Sequence, residues 1–207
     1  MRPGRDTIRG TTEELSPLAV EPILTWANGI TALRAVVGIA LALAALATQS
    51  LPLLVAAYAV YWVLDIADGE AARRLDQETR IGAVFDIVVD RASSLLCAAC
   101  FVLLFPALAV PITIYLVEFA ILDTMLSLGF LAFAVKGPND MHLVDRSLWL
   151  WNWSRPAKAL NTASVVVLCL AGQVVLASVV ALVILGIKVR SCVRLRMLLQ
   201  RGVATAP

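Results

Sequence analysis

Two pairs of aspartates carry the clearest chemical signal in this sequence. Asp65 and Asp68 are three residues apart, and Asp86 and Asp90 are four residues apart. Side chains at these spacings share one face of an α-helix, so each pair points in one direction. Carboxylate oxygens suit hard divalent cations, and a positioned carboxylate can also accept a proton from a reacting group. The spacing therefore predicts a site for Mg²⁺ or Mn²⁺ with a general base beside it.

The aspartate pairs lie in a chain whose composition is that of a membrane protein. Of its 207 residues, 60% are hydrophobic and 15% are charged, whereas soluble domains have about 45–50% and about 25%. A spanning helix needs about 20 mostly apolar residues. We therefore predict an all-α, polytopic membrane helical bundle of about six transmembrane helices, at 30–48, 51–72, 82–105, 109–135, 157–171 and 174–190.

The positions of Lys and Arg predict how the bundle is oriented. The loops at 49–50, 105–109 and 171–174 contain neither residue, whereas the opposite side is rich in both. By the positive-inside rule, both termini and the aspartates of this integral membrane protein are cytoplasmic. We divide the chain into a cytoplasmic segment at 1–29, with a short juxtamembrane helix around 18–26, a transmembrane domain at 30–190 and a basic cytoplasmic tail at 191–207. The net charge of +2 is too small to indicate nucleic-acid binding.

The short connection at 75–81 makes the second and third spans antiparallel neighbours, so the four carboxylates should meet at one depth. Acids in a membrane are costly and repel one another, and two divalent cations would compensate them. The competing interpretation is structural: the acids form interfacial salt bridges with Arg73, Arg74, Arg80 and Arg91.

The complete pattern, DxxDGxxAR followed by eight residues and GxxxDxxxD, resembles the signature of the CDP-alcohol phosphotransferases. The resemblance implies that an alcohol hydroxyl attacks the phosphorus of a CDP-linked donor, CDP-diacylglycerol, and expels CMP. It also implies a homodimer. Asp65, Asp68 and Asp86 are then the main ligands of two Mg²⁺ or Mn²⁺ ions. Asp90, the deepest of the four, is a further ligand and the catalytic base.

Five more residues are candidates for donor binding. Gly69 leaves room for the nucleotide to approach the helix, and Arg73 can reach a phosphate or the cytosine one turn further on. Asn28 and Thr31 resemble a family segment beside the nucleotide, and Thr79 matches a position that touches the donor in related synthases. Each of these last three, taken alone, is more typical of a helix cap or a turn than of a binding site.

Two alternatives remain for the acceptor. The stretch LDQETRIGAVFDIVVDR and the segment WNWSRPA resemble phosphatidylinositol synthases, and Asp123 inside the fourth span could accept hydrogen bonds from a polyol. Arg155 and Lys158 instead favour a phosphorylated acceptor, as in phosphatidylglycerophosphate or phosphatidylinositol-phosphate synthases. We expect an inositol-class acceptor.

Two rival functions share features with this one. Membrane prenyltransferases also use Asp-rich helices and Mg²⁺, but their two motifs are far apart in sequence. A cation transporter needs polar groups along a path through the membrane, and Glu118 and Asp123 leave that alternative open.

Overall fold

The computed structural model of the chain describes residues 21–204, apart from the side chains of Thr162 and of residues 201–204. This part contains eight α-helices and no strand, which confirms the predicted all-α class. The helices are α1 (Trp26–Ala47), α2 (Leu51–Arg74), α3 (Arg80–Leu104), α4 (Ala109–Val117), α5 (Thr124–Leu128), α6 (Arg146–Asn152), α7 (Arg155–Leu170) and α8 (Val174–Ala204). A π-helical segment, Glu118–Asp123, joins α4 to α5, and 3₁₀ turns lie at Pro106–Leu108, Gly129–Ala132 and Pro138–Leu143.

Within the described residues, five helical stretches are long and apolar enough to cross a membrane. They are Trp26–Ala47, Leu51–Arg74, Arg80–Leu104, Pro106–Ala132 and Val174–Gln200. The predicted fifth span corresponds to α7, which has only 16 residues. At 1.5 Å per residue α7 is about 24 Å long, which is less than the ~30 Å hydrocarbon core, so α7 is shorter than a full crossing while the other five predicted spans reach that length.

Lipid-facing surface accounts for the excess of apolar residues. Large apolar side chains on the flanks of the spans are exposed: Val36 and Ile66 are each 67% exposed, and Val175 is 79% exposed. A water-soluble protein rarely exposes contiguous apolar surface on this scale. The bundle is therefore built for a bilayer, as the composition predicts.

Local capping explains where the helices that carry the aspartates begin. The Thr25 hydroxyl accepts a hydrogen bond from the Asn28 N–H at the start of α1, and Thr79 does the same for Gly82 at the start of α3. The Gln77 side chain, in the turn between α2 and α3, accepts from the N–H of Trp26 at 3.0 Å. These bonds satisfy donors that a helix start leaves unpaired, and they fasten α1 to the α2–α3 turn.

The helices pack as two groups. α1 lies along both α2 and α3, whereas α8 packs against α4, α6 and α7. One apolar core joins the two groups around Ile112, Val165 and Ala181. A second core lies at the end where α1 begins, around Phe130, Met141 and Leu148.

Two predicted segment boundaries differ from the structure. The predicted basic tail at 191–207 is a direct continuation of α8 as far as Ala204, because Leu195 is buried in the second core and holds this part of the helix against the bundle. Of the predicted juxtamembrane helix at 18–26, residues 18–20 lie outside the described part. Residues 21–25 are not helical, and α1 begins at Trp26.

Candidate active site

The four aspartates meet as the sequence predicts. Asp65 and Asp68 lie near the end of α2, and Asp86 and Asp90 lie on the first three turns of α3. One carboxylate oxygen from each of Asp65, Asp68 and Asp86 lies within 4.8 Å of the others. The side chains of Asp65 and Asp86 are 40% and 41% exposed, while that of Asp68 is 6% exposed. The cluster is therefore a cleft with an open rim and a buried floor.

Arg34 lies in the middle of this cluster and is not among the residues predicted from the sequence. Its side chain is fully buried, and its guanidinium donates hydrogen bonds to Asp65 and, at 2.7 Å, to Asp86. The same guanidinium is 2.9 Å from an oxygen of Asp90 and 3.7 Å from one of Asp68. An arginine inside an apolar span was the available signal, because intramembrane ionisable residues are functional candidates by default.

The arginines expected to neutralise the aspartates under the structural interpretation have other partners. Arg73 and Arg74 pair with Glu70, and Arg91 pairs with Asp123. Arg80 donates to the carbonyl oxygen of Leu131 at 2.7 Å. The structural interpretation therefore named the wrong arginines, because Arg34 is the cation that pairs with the aspartates.

Three of the predicted donor-site residues contact the cluster or Gly82, the glycine at the start of α3. Thr31 is buried and donates a hydrogen bond of 2.8 Å to Asp68. Asn28 and Thr79 both face Gly82, where an added Cβ would lie 3.0 Å from the Asn28 Oδ1 and 2.8 Å from the Thr79 Oγ1. Only a glycine permits this approach, so Gly82 brings the start of α1 against the start of α3.

Gly69 and Arg73 lie on the rim of the cleft. The nearest atoms to a Cβ built on Gly69 belong to the Arg73 guanidinium, the closest at 3.4 Å. The Arg73 side chain is 52% exposed and pairs with Glu70 at 2.9 Å. A flexible, half-exposed cation therefore covers the surface of Gly69 that the sequence analysis assigned to the nucleotide.

Asp123 belongs to a second, separate ion cluster. Arg91, the residue after Asp90, contacts the Asp123 carboxylate, donates to Thr124 at 2.9 Å and stacks on the Phe119 ring at 3.9 Å. Lys188 of α8 donates to the other oxygen of Asp123 and lies 3.9 Å from Glu118. The π-helical segment thus begins and ends at an acid of this cluster, and π-helical turns are frequent at functional sites.

Arg155 and Lys158 lie in the first turn of α7 and are exposed. The Ser154 hydroxyl caps this helix start by accepting from the Ala157 N–H at 3.4 Å. The charge of Lys158 acts on the carboxylates of both Asp86 and Asp123. Lys158 is therefore near enough to act electrostatically on both the aspartate cleft and the second ion cluster.

The cleft fits a divalent metal ion on its own chemistry. Three carboxylates converge within 4.8 Å, all donors are oxygens, and one buried guanidinium offsets only part of their charge. Mg²⁺ and Mn²⁺ prefer such oxygen ligands. The donor set offers no Cys or His to select a softer metal.

The fold and the cleft define a helical membrane protein with an acidic, metal-suited site. Comparison with known protein families matches residues 24–189 to the CDP-alcohol phosphatidyltransferase family. The match covers well over half of the chain, which therefore belongs to that family. No curated protein and no solved structure gave a match.

Membership of this family establishes the class of reaction. The chain is an enzyme, a transferase of substituted phosphate groups that acts between a CDP-alcohol and an alcohol in phospholipid biosynthesis. The family uses divalent metal ions, in agreement with the carboxylate cleft.

Proposed function

We propose that this enzyme transfers the phosphatidyl group of CDP-diacylglycerol to a hydroxyl of an inositol-class alcohol and releases CMP, with two divalent ions in the aspartate cleft. The observation that supports this most directly is the convergence of Asp65, Asp68 and Asp86 within 4.8 Å, with Asp90 beside them on the same guanidinium. The family supplies the reaction class.

The carboxylates have distinct parts in the proposed reaction. Asp65, Asp68 and Asp86 would hold the ions, which neutralise the diphosphate and make its phosphorus easier to attack. The Asp90 carboxylate accepts the proton of the acceptor hydroxyl. The acceptor oxygen forms a bond to the phosphorus that carries diacylglycerol, and the bond from that phosphorus to the bridging oxygen breaks, so that CMP leaves with the electron pair.

Donor binding is assigned to the rim of the cleft. The nucleotide lies over Gly69, and Arg73 exchanges its exposed partner Glu70 for a phosphate of the donor. Arg suits this exchange because its fork matches phosphate oxygens. Thr31, Asn28 and Thr79 line the side of the cleft formed by α1 and α3.

An apolar cavity of about 300 Å³ supports a lipid donor. It is lined by α2, α3, α4 and α7, and it begins at Trp62 and Ser94, one helical turn from Asp65 and Asp90. From there it extends to Leu51 and Phe101, and its lining is almost entirely hydrocarbon. A fatty acyl chain attached to the reacting phosphate would lie here.

A substitution that narrows this cavity tests the lipid donor. We expect Ala59→Phe, which projects into the cavity, to lower kcat/KM for a long-chain CDP-diacylglycerol and to leave a short-chain donor less affected. Ala40→Phe, at an exposed position of α1 outside the cavity, is the matched control. Equal losses with both donors would argue against acyl-chain binding at this place.

Acceptor binding is assigned to Arg155, Lys158 and Asp123. Each Asp123 oxygen already accepts one hydrogen bond, from Arg91 or from Lys188, but a carboxylate has about four lone-pair positions and can accept more. The charge of Lys158 reaches both Asp86 and Asp123. The position of Lys158 favours an acceptor site near both clusters. Its positive charge, with that of Arg155, makes a phosphorylated acceptor the second candidate.

The experiment is product formation from labelled CDP-diacylglycerol by the purified enzyme, with inositol, inositol phosphate and glycerol phosphate supplied in parallel. We expect activity with an inositol-class acceptor and stoichiometric CMP release. With free inositol, Asp123→Ala should raise KM while Lys158→Ala changes it little. With a phosphorylated acceptor, Arg155→Ala and Lys158→Ala should each cost about 1.5–3 kcal/mol. Robust activity with glycerol phosphate alone would refute the inositol assignment.

We propose that the cleft and both termini are cytoplasmic. Arg73, Arg74 and Arg80 lie at the end of the bundle that holds the aspartates, and the positive-inside rule assigns such an end to the cytoplasm. We also propose a homodimer, on the strength of the family resemblance. Crosslinking of the enzyme in native membranes, with the site of labelling mapped, would test both.

A further inference from the structure

The guanidinium of Arg34 connects three helices through its two terminal nitrogens. Nη1 faces the α2 acids, bonding Asp65 and lying 3.7 Å from Asp68. Nη2 faces the α3 acids, at 2.7 Å from Asp86 and 2.9 Å from Asp90. One side chain from α1 thus contacts every carboxylate of the cleft.

The surroundings of Arg34 fix its position and its charge. Its side chain is 0% exposed, and its guanidinium carbon lies 5.3 Å from the centre of the buried Tyr61 ring. Arginine stays protonated in proteins, so this charge is permanent. A lysine could not replace it equivalently, because an ammonium is a point charge and cannot direct two separate nitrogens at two helices.

We propose that Arg34 is an internal counter-cation of the metal site, a positioning residue that holds the carboxylates of α2 and α3 together before the metal ions bind. It offsets one of the negative charges that would otherwise drive the two helices apart. It also competes with the ions for the same oxygens. Arg34 therefore stabilises the metal-free enzyme and lowers its affinity for the ions. The inference rests on the proposed metal-assisted function.

The experiment compares thermal unfolding of the full chain in detergent, in a chelator and in saturating Mn²⁺, together with Mn²⁺ affinity from electron paramagnetic resonance. Arg34→Gln removes the counter-cation. Arg91→Gln is the matched control, because Arg91 is also a buried arginine of the bundle, 12% exposed and paired with Asp123 in the second ion cluster.

We expect a loss of Tm that depends on Mn²⁺ in Arg34→Gln and not in Arg91→Gln. Its Tm should fall in the chelator by on the order of 5 °C or more, and Mn²⁺ should restore most of that loss, because the ions then supply the missing positive charge. Its Mn²⁺ affinity should equal or exceed that of the wild type. The Tm of Arg91→Gln should fall by the same amount with and without Mn²⁺. If the loss in Arg34→Gln is equally independent of Mn²⁺, Arg34 is an ordinary structural ion pair and the inference is wrong.

Two further variants keep the test decisive if Arg34→Gln does not fold. Arg34→Gln/Asp65→Asn removes one charge of each sign, and it should be more stable in the chelator than Arg34→Gln and purify where the single variant does not. A double variant no better than the single one overturns the inference. Arg34→Lys, which retains the charge without the fork, should show an intermediate dependence on Mn²⁺.

If the wild type binds no Mn²⁺ at all, the proposed metal chemistry fails. If it binds Mn²⁺ but the Arg34 variants are not rescued, only the role of Arg34 fails.

Discussion

Lys188 on α8 donates a hydrogen bond to Asp123 in the π-helical segment, and the two side chains are only 2% and 13% exposed. This bond ties the last span to the fourth one. Arg91 binds the other oxygen of the same carboxylate, so the tie extends to α3 next to Asp90. The second ion cluster therefore determines how α3 is held relative to α8.

A double-mutant cycle on this pair should show strong coupling. Lys188→Met removes one of the two cations that pair with Asp123, and Asp123→Asn leaves Lys188 and Arg91 without their shared carboxylate. Breaking a buried ion pair by removing one partner typically costs about 3–5 kcal/mol. The double variant should lose less than the sum of the single losses, by on the order of 0.5–3 kcal/mol. Thermal unfolding in one detergent measures all four proteins, and additive losses would show that the two side chains act independently.

Asp90→Asn should reduce turnover at least 10²-fold, because it removes the proposed base. Mn²⁺ binding should persist, since three other carboxylates remain. The matched control is Asp76→Asn, an exposed residue in the α2–α3 turn with φ 51°, a conformation that Asn tolerates. A variant that keeps more than about a tenth of wild-type turnover would mean that Asp90 is not the base.

Activity should vanish in a strong chelator and return when Mg²⁺ or Mn²⁺ is added. Among single alanine variants of the four aspartates, Asp68→Ala should lose the most metal affinity, because Asp68 is the most buried and Thr31 fixes its orientation with a 2.8 Å hydrogen bond. Calorimetric titration with Mn²⁺ measures this order. Full turnover in the chelator would rule out the metal-assisted scheme.

Gly82→Ala should damage both stability and activity. Its Cβ would meet Thr79 Oγ1 at 2.8 Å and Asn28 Oδ1 at 3.0 Å, so the Thr79 cap of α3 and the Asn28 side chain of α1 must shift. Overpacking of this kind costs about 1–3 kcal/mol. Gly29→Ala is the control, because nothing lies within 4 Å of its Cβ and alanine favours a helix. Similar Tm values for the two variants would show that the contact at Gly82 is unimportant.

Asp145 should stabilise the start of α6 in a pH-dependent way. Burial would raise the pKa of Asp145, but the Arg194 guanidinium and the Leu148 N–H outweigh it and hold that pKa below its ordinary value. A lowered pKa contributes stability that is present above the unfolded-state pKa, about 3.9, and lost as the pH falls through the folded-state value. The Tm difference between wild type and Asp145→Asn should therefore be present at neutral pH and shrink in acid. A Tm difference that grows in acid would contradict this account.

Asp145→Ala, which also removes the helix cap, should cost a further ~0.5–2 kcal/mol.

The parts of the site that sequence predicted are those set by local spacing. Asp65 with Asp68 and Asp86 with Asp90 share helix faces, and a short turn makes α2 and α3 neighbours, so their meeting follows from the chain itself. Arg34 could not be placed in the same way, because its contacts join residues 31 and 52 positions apart. Those contacts depend on how α1 packs across the α2–α3 pair.

The π-helical segment inside the fourth predicted span, which the sequence did not predict, has a similar origin. The π-helical segment at 118–123 has no distinctive composition, and it is fixed by long-range bonds from Arg91 and Lys188. The predicted fifth span, 157–171, agrees with α7 (Arg155–Leu170) to within two residues at each end: the helix starts at the Ser154 cap and ends before Gly172, whose φ is 71°.

The buried position of Arg34 also bears on the order in which the protein is made. Arg34 is the ninth residue of α1, and a charged residue inside a spanning helix costs about 2.5–3.5 kcal/mol at the insertion machinery. The acids that offset this charge leave the ribosome 31 or more residues later. The charge of Arg34 is therefore offset only when the second and third helices have been made, so the aspartates of these helices also help to hold the first helix in the bilayer. A nascent chain that stops short of Asp65 should hold its first helix in the membrane less firmly than the apolar sequence of that helix would indicate.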